Sequence, residues 1–166
     1  PLAIELAAAR LPLLGLDGIR SRMDERLRLL TVGSRASPAR HQTLRAAFEW
    51  SHDLLDPAEQ TTFRRLGVFV GGFSLPLAQQ VLADERLDAW QVLDHLGALV
   101  EKSLVAAQGA QTPRYRLLES ARDFALDLLK QSGETARVRQ AHALALRRLF
   151  DEFDRAVAHE ADFVGL

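Results

Sequence analysis

Cysteine is absent from the 166-residue sequence, which excludes disulfide bonds, thiolate metal sites and a cysteine nucleophile. No apolar run reaches the roughly 18 residues of a membrane span. The apolar start is interrupted by Glu5 and Arg10 and lacks the basic leader of a signal peptide. Basic residues are not in excess either, since the formal net charge is −1. These absences favour a cytoplasmic protein without a membrane partner, and the charge balance gives general nucleic-acid binding no support.

The composition that remains is that of a folded globular chain, with 48% hydrophobic and 26% charged residues. The length predicts one domain, or two small ones that share a core. Because the sequence begins with Pro1 rather than methionine, we expect it to be a piece of a longer protein.

Apolar residues recur at helical spacing through the first third of the chain. Helices are predicted over Pro1–Leu14, Asp17–Leu30 and about His41–Leu54, with a basic loop over Thr31–Arg40 before the third.

Start signals mark the helices that follow. Asp56 is an N-cap candidate, Pro57 suits the first helical position, and Glu59 completes a capping box. Ser74 and Asp88 are further N-cap candidates. The predicted elements are a helix to Leu66, an extended run over Val68–Val70, helices over Leu75–Ala83 and Ala89–Glu101, strands over Ser103–Ala107 and Arg114–Leu117, helices over Leu118–Gln131 and Glu134–Ala158, and a frayed end over Glu160–Leu166.

Three short helices followed by a hairpin form a winged-helix arrangement. The predicted fold is therefore mainly α, with a short β-hairpin wing. We expect a small helical domain over residues 1–55, a winged-helix domain over residues 56–132, and the start of a downstream helical region over residues 133–166.

Several segments of the sequence are similar to one known family. They are RHQTLRAAFEWSHDLLDPAEQTTFRRLGVFVGGFSL at Arg40–Leu75, VLDHLGALVEKSLV at Val92–Val105, YRLLESARDFA at Tyr115–Ala125, and the opening PLAIELAAARL. In this order they resemble bacterial signal-transduction ATPases of the STAND (NB-ARC-like) class, which are associated with LuxR-type and SARP-type transcriptional regulators. The resemblance covers about residues 1–130.

The resemblance implies a lid-and-switch role beside a P-loop nucleotide-binding domain of the same chain. No G-x-x-x-x-G-K-[ST] motif occurs in this sequence, so the phosphate-cradling part is missing. ATP or ADP with Mg is accordingly expected in the longer parent protein, and no cofactor is expected in this fragment. The implied partners are the nucleotide-binding domain and a downstream helical sensor region.

The resemblance also implies three site residues. Pro1 matches a proline that packs on the adenine ring in the full-length parent. Leu118 and Glu119 align with the second and third positions of the family's Met-His-Asp switch motif. Leu118 replaces the phosphate-sensing histidine and has no hydrogen-bonding side-chain atom, so we favour a core position for it and a first-turn position for Glu119.

The predicted recognition helix, Ala89–Val100, contains no Lys or Arg, and only Gln91 and His95 are candidate donors to base edges. In the wing, Arg114 and Arg116 alternate with Tyr115 and are the candidate phosphate contacts. DNA contact by this module is not expected. We predict instead that the helix is buried in a protein–protein or interdomain contact.

The remaining polar clusters carry no chemistry that we can assemble into a site. Ser51, His52 and Asp53 are consecutive on a helix and so point in different directions. The five histidines show no metal-ligand spacing, and Trp50 and Trp90 are expected to be core anchors. We therefore predict no enzyme and no metal site in this chain.

The main functional hypothesis is a regulatory fragment that reports the nucleotide state of an absent P-loop domain. Two alternatives remain open, a DNA-binding winged helix of a transcriptional regulator and a protein-interaction scaffold without a switch.

Overall fold

The computed structural model describes residues 11, 14–21, 44–109 and 111–164, with the backbone alone for residue 44 and residues 156–164. Residues 14–20 are helical. The later elements are α1 (Leu44–Asp53), α2 (Pro57–Leu66), β1 (Gly72–Phe73), α3 (Leu75–Leu82), α4 (Ala89–Glu101), β2 (Ala106–Gln108), β3 (Arg114–Arg116), α5 (Glu119–Gln131) and α6 (Thr135–Val164). The predicted order of three helices followed by a hairpin is confirmed.

Helix α2 forms the centre of the bundle and begins as predicted. The side chain of Asp56 accepts from the backbone N–H groups of Ala58 and Glu59, and the Glu59 carboxylate accepts from the Asp56 N–H at 3.0 Å. Glu59 is nearly buried and also accepts from the Lys102 ammonium at 2.7 Å. The capping box of α2 therefore ties this helix to the end of α4.

Helices α3 and α4 begin at the two other predicted caps. The Ser74 hydroxyl accepts from the Leu77 N–H, and the Asp88 carboxylate accepts from the Gln91 N–H. Both helices lie within one residue of the predicted bounds, because these starts depend on local hydrogen bonds that the sequence specifies.

The small sheet has the strand order β1-β3-β2 and is antiparallel throughout. The predicted extended run over Val68–Val70 was wrong. The N–H groups of Val68 and Phe69 bond back to α2 carbonyls. The chain then turns at Gly71, whose φ is 77°, and only the following pair meets β3.

The hairpin also begins later than predicted. The N–H groups of Leu104 and Val105 both donate to the Leu99 carbonyl at the end of α4, so neither is available to a ladder. Their side chains are buried, and the strand starts at Ala106.

Helix α6 follows α5 after a turn at Gly133, whose φ is 75°. Its predicted end at Ala158 and the predicted frayed end from Glu160 were wrong, because the helix continues to Val164. The last two residues lie outside the described part of the chain.

One hydrophobic core joins the winged helix to the helices on either side of it. Phe48 of α1 stacks on Phe124 of α5, with ring centroids 5.9 Å apart. Val138 and Ala145 of α6 are buried in the same core. The predicted domain boundaries at residues 55 and 132 remain predictions. Among the described residues, no helix combines the length and apolar character of a membrane span.

Candidate interaction surfaces of the winged helix

Helix α4 occupies the recognition position and presents one side to the core. Val92, Leu96 and Leu99 are buried and pack toward α2 and α3. At 3.6 residues per turn, the opposite side consists of Trp90, Asp94, Gly97 and Glu101.

Each of the two predicted base donors on α4 makes one hydrogen bond within the protein. The Gln91 side-chain oxygen accepts from the Asp88 N–H at 2.9 Å as part of a capping box. His95 is half-buried, and its Nδ1 lies 3.0 Å from the Thr62 hydroxyl of α2. Only His95 is directed into the domain by its bond, because the bond of Gln91 uses the side-chain oxygen and not the N–H₂ donor.

The outward side of α4 is apolar and acidic. Trp90 is 75% exposed, and Asp94, Gly97 and Glu101 are exposed along the same side. Four residues at positions i, i+4, i+7 and i+11 share one side of a helix. This side faces outward within the described residues, and the predicted burial in a protein–protein or interdomain contact stays a prediction.

The prediction that both tryptophans are core anchors was wrong. Trp90 and Trp50 are 75% and 49% exposed. In α4 the inward positions are taken by Val92, Leu96 and Leu99, and Trp90 lies on the other side of the helix. An exposed indole is unusual, since this side chain carries a large apolar area.

Gly97 is not required by packing within the described chain. A Cβ atom built at this position meets nothing within 4 Å, and its φ is not positive. A glycine within a helix costs about 1 kcal/mol relative to alanine. The contacts of the described residues therefore do not account for this cost.

The wing presents its two arginines as predicted. Arg114 and Arg116 are exposed, whereas Tyr115 between them is half-buried and stacks on Phe73 with centroids 6.1 Å apart. This alternation follows from the two-residue period of a strand. The Arg114 guanidinium also donates to the Gly72 carbonyl at 3.0 Å. One cation is thus held against the sheet, and both lie on an accessible surface.

The predicted switch position lies between β3 and α5. Leu117 is buried, but Leu118 is 54% exposed, so the predicted core position of Leu118 was wrong. Leu118 occupies the N-cap of α5 with extended backbone angles, and its side chain makes no capping hydrogen bond. Glu119 lies in the first turn of α5 as predicted. A groove of about 590 Å³ lies beside them and is also lined by Arg116.

Two other candidate features fall outside the described part of the chain. These are Pro1, predicted to contact adenine in the parent, and the predicted basic loop Thr31–Arg40. Arg45, near that loop, is described. It lies in α1, where its guanidinium is 2.9 Å from Glu49, 3.4 Å from Asp127 and above the Phe124 ring.

A cluster of charged residues joins α2 to the start of α6. The buried Arg65 guanidinium lies 2.6 Å from Glu134 and 2.8 Å from Asp84, and Arg64 lies 2.7 Å from Glu134. Burial alone would raise the pKa of Glu134, but hydrogen bonds from Arg65 and Arg64 outweigh it and lower the pKa to about 2. The cations and carboxylates satisfy one another, which indicates a structural clamp.

Sequence reasoning missed two features of these surfaces. One is the outward side of α4, for which a mid-helix glycine seven residues after a tryptophan was an available signal. The other is the clamp around Glu134. Its partners on α2 are about seventy residues away, so no local pattern could have identified it.

Comparison with known proteins agrees with the fold. Residues 55–130 match a family model described as a winged helix-turn-helix domain. Proteins named "Putative HTH-type transcriptional regulator" from Mycobacterium tuberculosis and Mycobacterium bovis are 50% identical to this chain over 135 residues. That match covers 81% of this chain and 15% of each relative. An uncharacterized protein of Mycobacterium tuberculosis is 42% identical over 136 residues, 81% of this chain and 35% of that protein.

The chain thus spans a small part of the curated relatives that it matches. Their names accord with the DNA-binding alternative better than with the nucleotide-switch hypothesis, and nothing in them indicates a STAND ATPase. Fold and comparison together give the conclusion that this chain contains a winged helix-turn-helix domain and is similar in sequence to part of proteins named "Putative HTH-type transcriptional regulator".

Proposed function

We propose that this chain is the winged-helix module of a transcriptional regulator, and that the outward side of α4 binds protein rather than base edges. The main support for this proposal is that one tryptophan, one glycine and two carboxylates are exposed on that side, namely Trp90, Gly97, Asp94 and Glu101. The proposal also holds that the module has no catalytic activity and acts in the cytoplasm.

Base reading by α4 is opposed by its charge and by the contact of His95 with α2. A helix in the major groove needs donors aimed at base edges and cations near the phosphates. Asp94 and Glu101 would instead bring two negative charges toward a polyanion, and α4 contains no Lys or Arg. Gln91 and His95 already form hydrogen bonds within the domain.

The same side has the features of a protein-binding surface. An exposed tryptophan supplies a large apolar contact at small entropic cost, and such residues dominate the energetics of interfaces. Gly97 lies on the same side of the helix, two turns after Trp90, and allows a partner backbone to approach closely. The flanking carboxylates of Asp94 and Glu101 favour a partner segment that is apolar with basic residues at its edges.

A photo-cross-linker tests this proposal in the natural gene product. The amino acid p-benzoylphenylalanine would replace Trp90, and the matched control would carry it at Gln80, an exposed position on α3. We expect the product at position 90 to map to a basic, apolar protein segment and to be absent from the control. A cross-link to DNA at position 90, or the same products at both positions, would overturn the proposal.

A second candidate function is DNA contact through the wing, which the names of the relatives favour. The supporting observation is that Arg114 and Arg116 are exposed on one face of the hairpin. Two phosphate contacts would contribute about two units to the salt dependence of binding. Replacing both residues by Gln would remove that contribution, whereas Arg86→Gln, at another exposed position, would leave it unchanged.

Nucleotide-dependent switching of the parent protein is a separate proposal, in which ATP or ADP with Mg binds an absent P-loop domain that packs on this module. Leu118 has no polar side-chain atom at the position where the resemblance places phosphate sensing, so it does not fit direct phosphate contact. The downstream helical region is the other proposed partner.

A further inference from the structure

The second half of α6 extends past the core of the domain. Ala145 is the last of its buried residues, and every residue from Arg147 to Arg155 is exposed. Large apolar side chains continue beyond that point nevertheless. Leu149, Phe150 and Phe153 are 52%, 65% and 65% exposed. Exposed leucine and phenylalanine in such density mark a contact surface more often than a solvated helix.

These side chains form a continuous stripe along the helix. With about 100° per residue, Leu146, Phe150 and Phe153 lie within a sector of about 60°, and Leu149 widens it to about 100°. The intervals of four and three residues are those of a coiled-coil seam. We define the seam as Leu146, Leu149, Phe150 and Phe153.

Opposite charges lie along one edge of the seam. Arg147 and Asp154 are seven residues apart, so they are separated by only about 20° around the helix and by about 10 Å along it. Both are exposed. Arg147 has a distant intrahelical partner, with Nε 3.9 Å from the Asp151 carboxylate. An exposed pair of this kind contributes little to stability, so Arg147 can leave Asp151 for a closer carboxylate at small cost in free energy.

We propose that α6 pairs with α6 of a second copy of this chain in an antiparallel arrangement, with a twofold axis between Arg147 and Asp154. This dimer surface goes beyond the function proposed for α4 and does not depend on it. Around that axis, Phe150 packs against Phe153 of the partner copy in two equivalent layers. Arg147 faces the partner copy's Asp154, and the reverse pair forms at the other end.

Charge complementarity selects the second copy and its direction. An antiparallel twofold places each charge of this edge beside the opposite charge of the same edge. A parallel, in-register pair would place this edge against the other edge of the seam, where Leu149 lies, and would form neither ion pair. The seam is therefore self-complementary in one direction only.

Light scattering coupled to size-exclusion chromatography, across a concentration series, tests the proposal on the 166-residue chain. We expect a species of twice the 18.4 kDa monomer mass at high concentration. Arg147→Asp and Asp154→Arg each replace two attractive pairs by two repulsive pairs. Each should raise the dissociation constant about tenfold or more. The double variant should restore the dimer, and so should a mixture of the two single variants.

Matched controls separate the seam from a general effect of charge or folding. Arg148→Asp makes the same charge change on the other side of α6 and should leave the dimer intact, as should Leu144→Asp, whereas Phe150→Asp should abolish it. Circular dichroism would verify that each variant is folded. A chain that stays monomeric, a double variant that stays monomeric, or open-ended association through another surface would overturn the antiparallel seam.

Discussion

Replacement of Gly97 by alanine should stabilise the isolated chain. A Cβ atom at position 97 meets nothing within 4 Å, so the methyl group introduces no clash. Alanine is about 0.8–1 kcal/mol more favourable than glycine within a helix, chiefly because the unfolded chain has less freedom to lose. We expect the free energy of unfolding to rise by about 0.5–1 kcal/mol and the melting temperature by a few degrees.

Gly67→Ala provides the matched control, since Gly67 also adopts a right-handed helical backbone with φ of −57°. Here the added Cβ would lie 2.9 Å from the Leu126 backbone nitrogen and 3.1 Å from the Cβ of Ala125. Helices α2 and α5 would have to separate, at a cost of about 1–3 kcal/mol. Urea denaturation followed by circular dichroism measures both variants.

The effect of Gly97→Ala on stability also indicates why α4 contains a glycine at this position. A stabilised Gly97→Ala chain with weakened partner cross-linking at position 90 would show that the glycine serves docking rather than folding. A chain that is unchanged or destabilised by Gly97→Ala would refute the reasoning, because the outward side of α4 would then be constrained within the chain itself.

Three further predictions concern stability. Glu134→Gln should cost about 2–3 kcal/mol in urea denaturation, because it leaves two arginines without their shared carboxylate. The pKa of Glu134 is about 2 in the folded chain and near 4.5 in the unfolded chain. Its contribution to the free energy of unfolding should therefore be present above pH 4.5 and be lost as the pH falls toward 2. The Gln variant should lack this loss. Burial lowers the pKa of His142, whose ring packs edge-on to Phe69, and also lowers the pKa of His52. Stability should therefore fall as the pH drops below about 6.5, and His142→Phe should reduce that fall. Asp56→Ala should lower the melting temperature by removing about 1 kcal/mol of capping, with Asp53→Ala, at an exposed position outside the cap, as the control.

Local signals in the sequence predicted the helix starts closely. Asp56, Ser74 and Asp88 cap helices where the sequence places them, because a side chain that accepts from an N–H two or three residues ahead needs no tertiary contact. The winged-helix order followed from these starts together with the hairpin.

The predictions from sequence were wrong at positions where only tertiary contacts determine the backbone conformation or the direction of a side chain. Leu104 and Val105 have strand-forming character, but the Leu99 carbonyl takes both of their N–H groups. Leu118 has the same side chain as Leu117, and only the turn into α5 directs one outward and the other inward. The outward position of Trp90 likewise depends on which side of α4 meets α2 and α3.

The candidate surfaces were predicted less completely than the fold. The exposed arginines of the wing followed from strand alternation, and the lack of cations on α4 was visible in the sequence. The contact of His95 with Thr62 could not be predicted from local patterns, since the two residues are thirty-three positions apart in the chain.

Whether α4 reads bases is tested most directly by fluorescence anisotropy. A labelled DNA duplex would be titrated with this chain at about 50 and 200 mM salt. We predict weak binding at low salt, no preference among duplex sequences, and any residual affinity lost in the Arg114→Gln/Arg116→Gln variant. Tight, sequence-selective binding that is weakened by Trp90→Ala or strengthened by Asp94→Asn would place α4 against DNA and contradict the account.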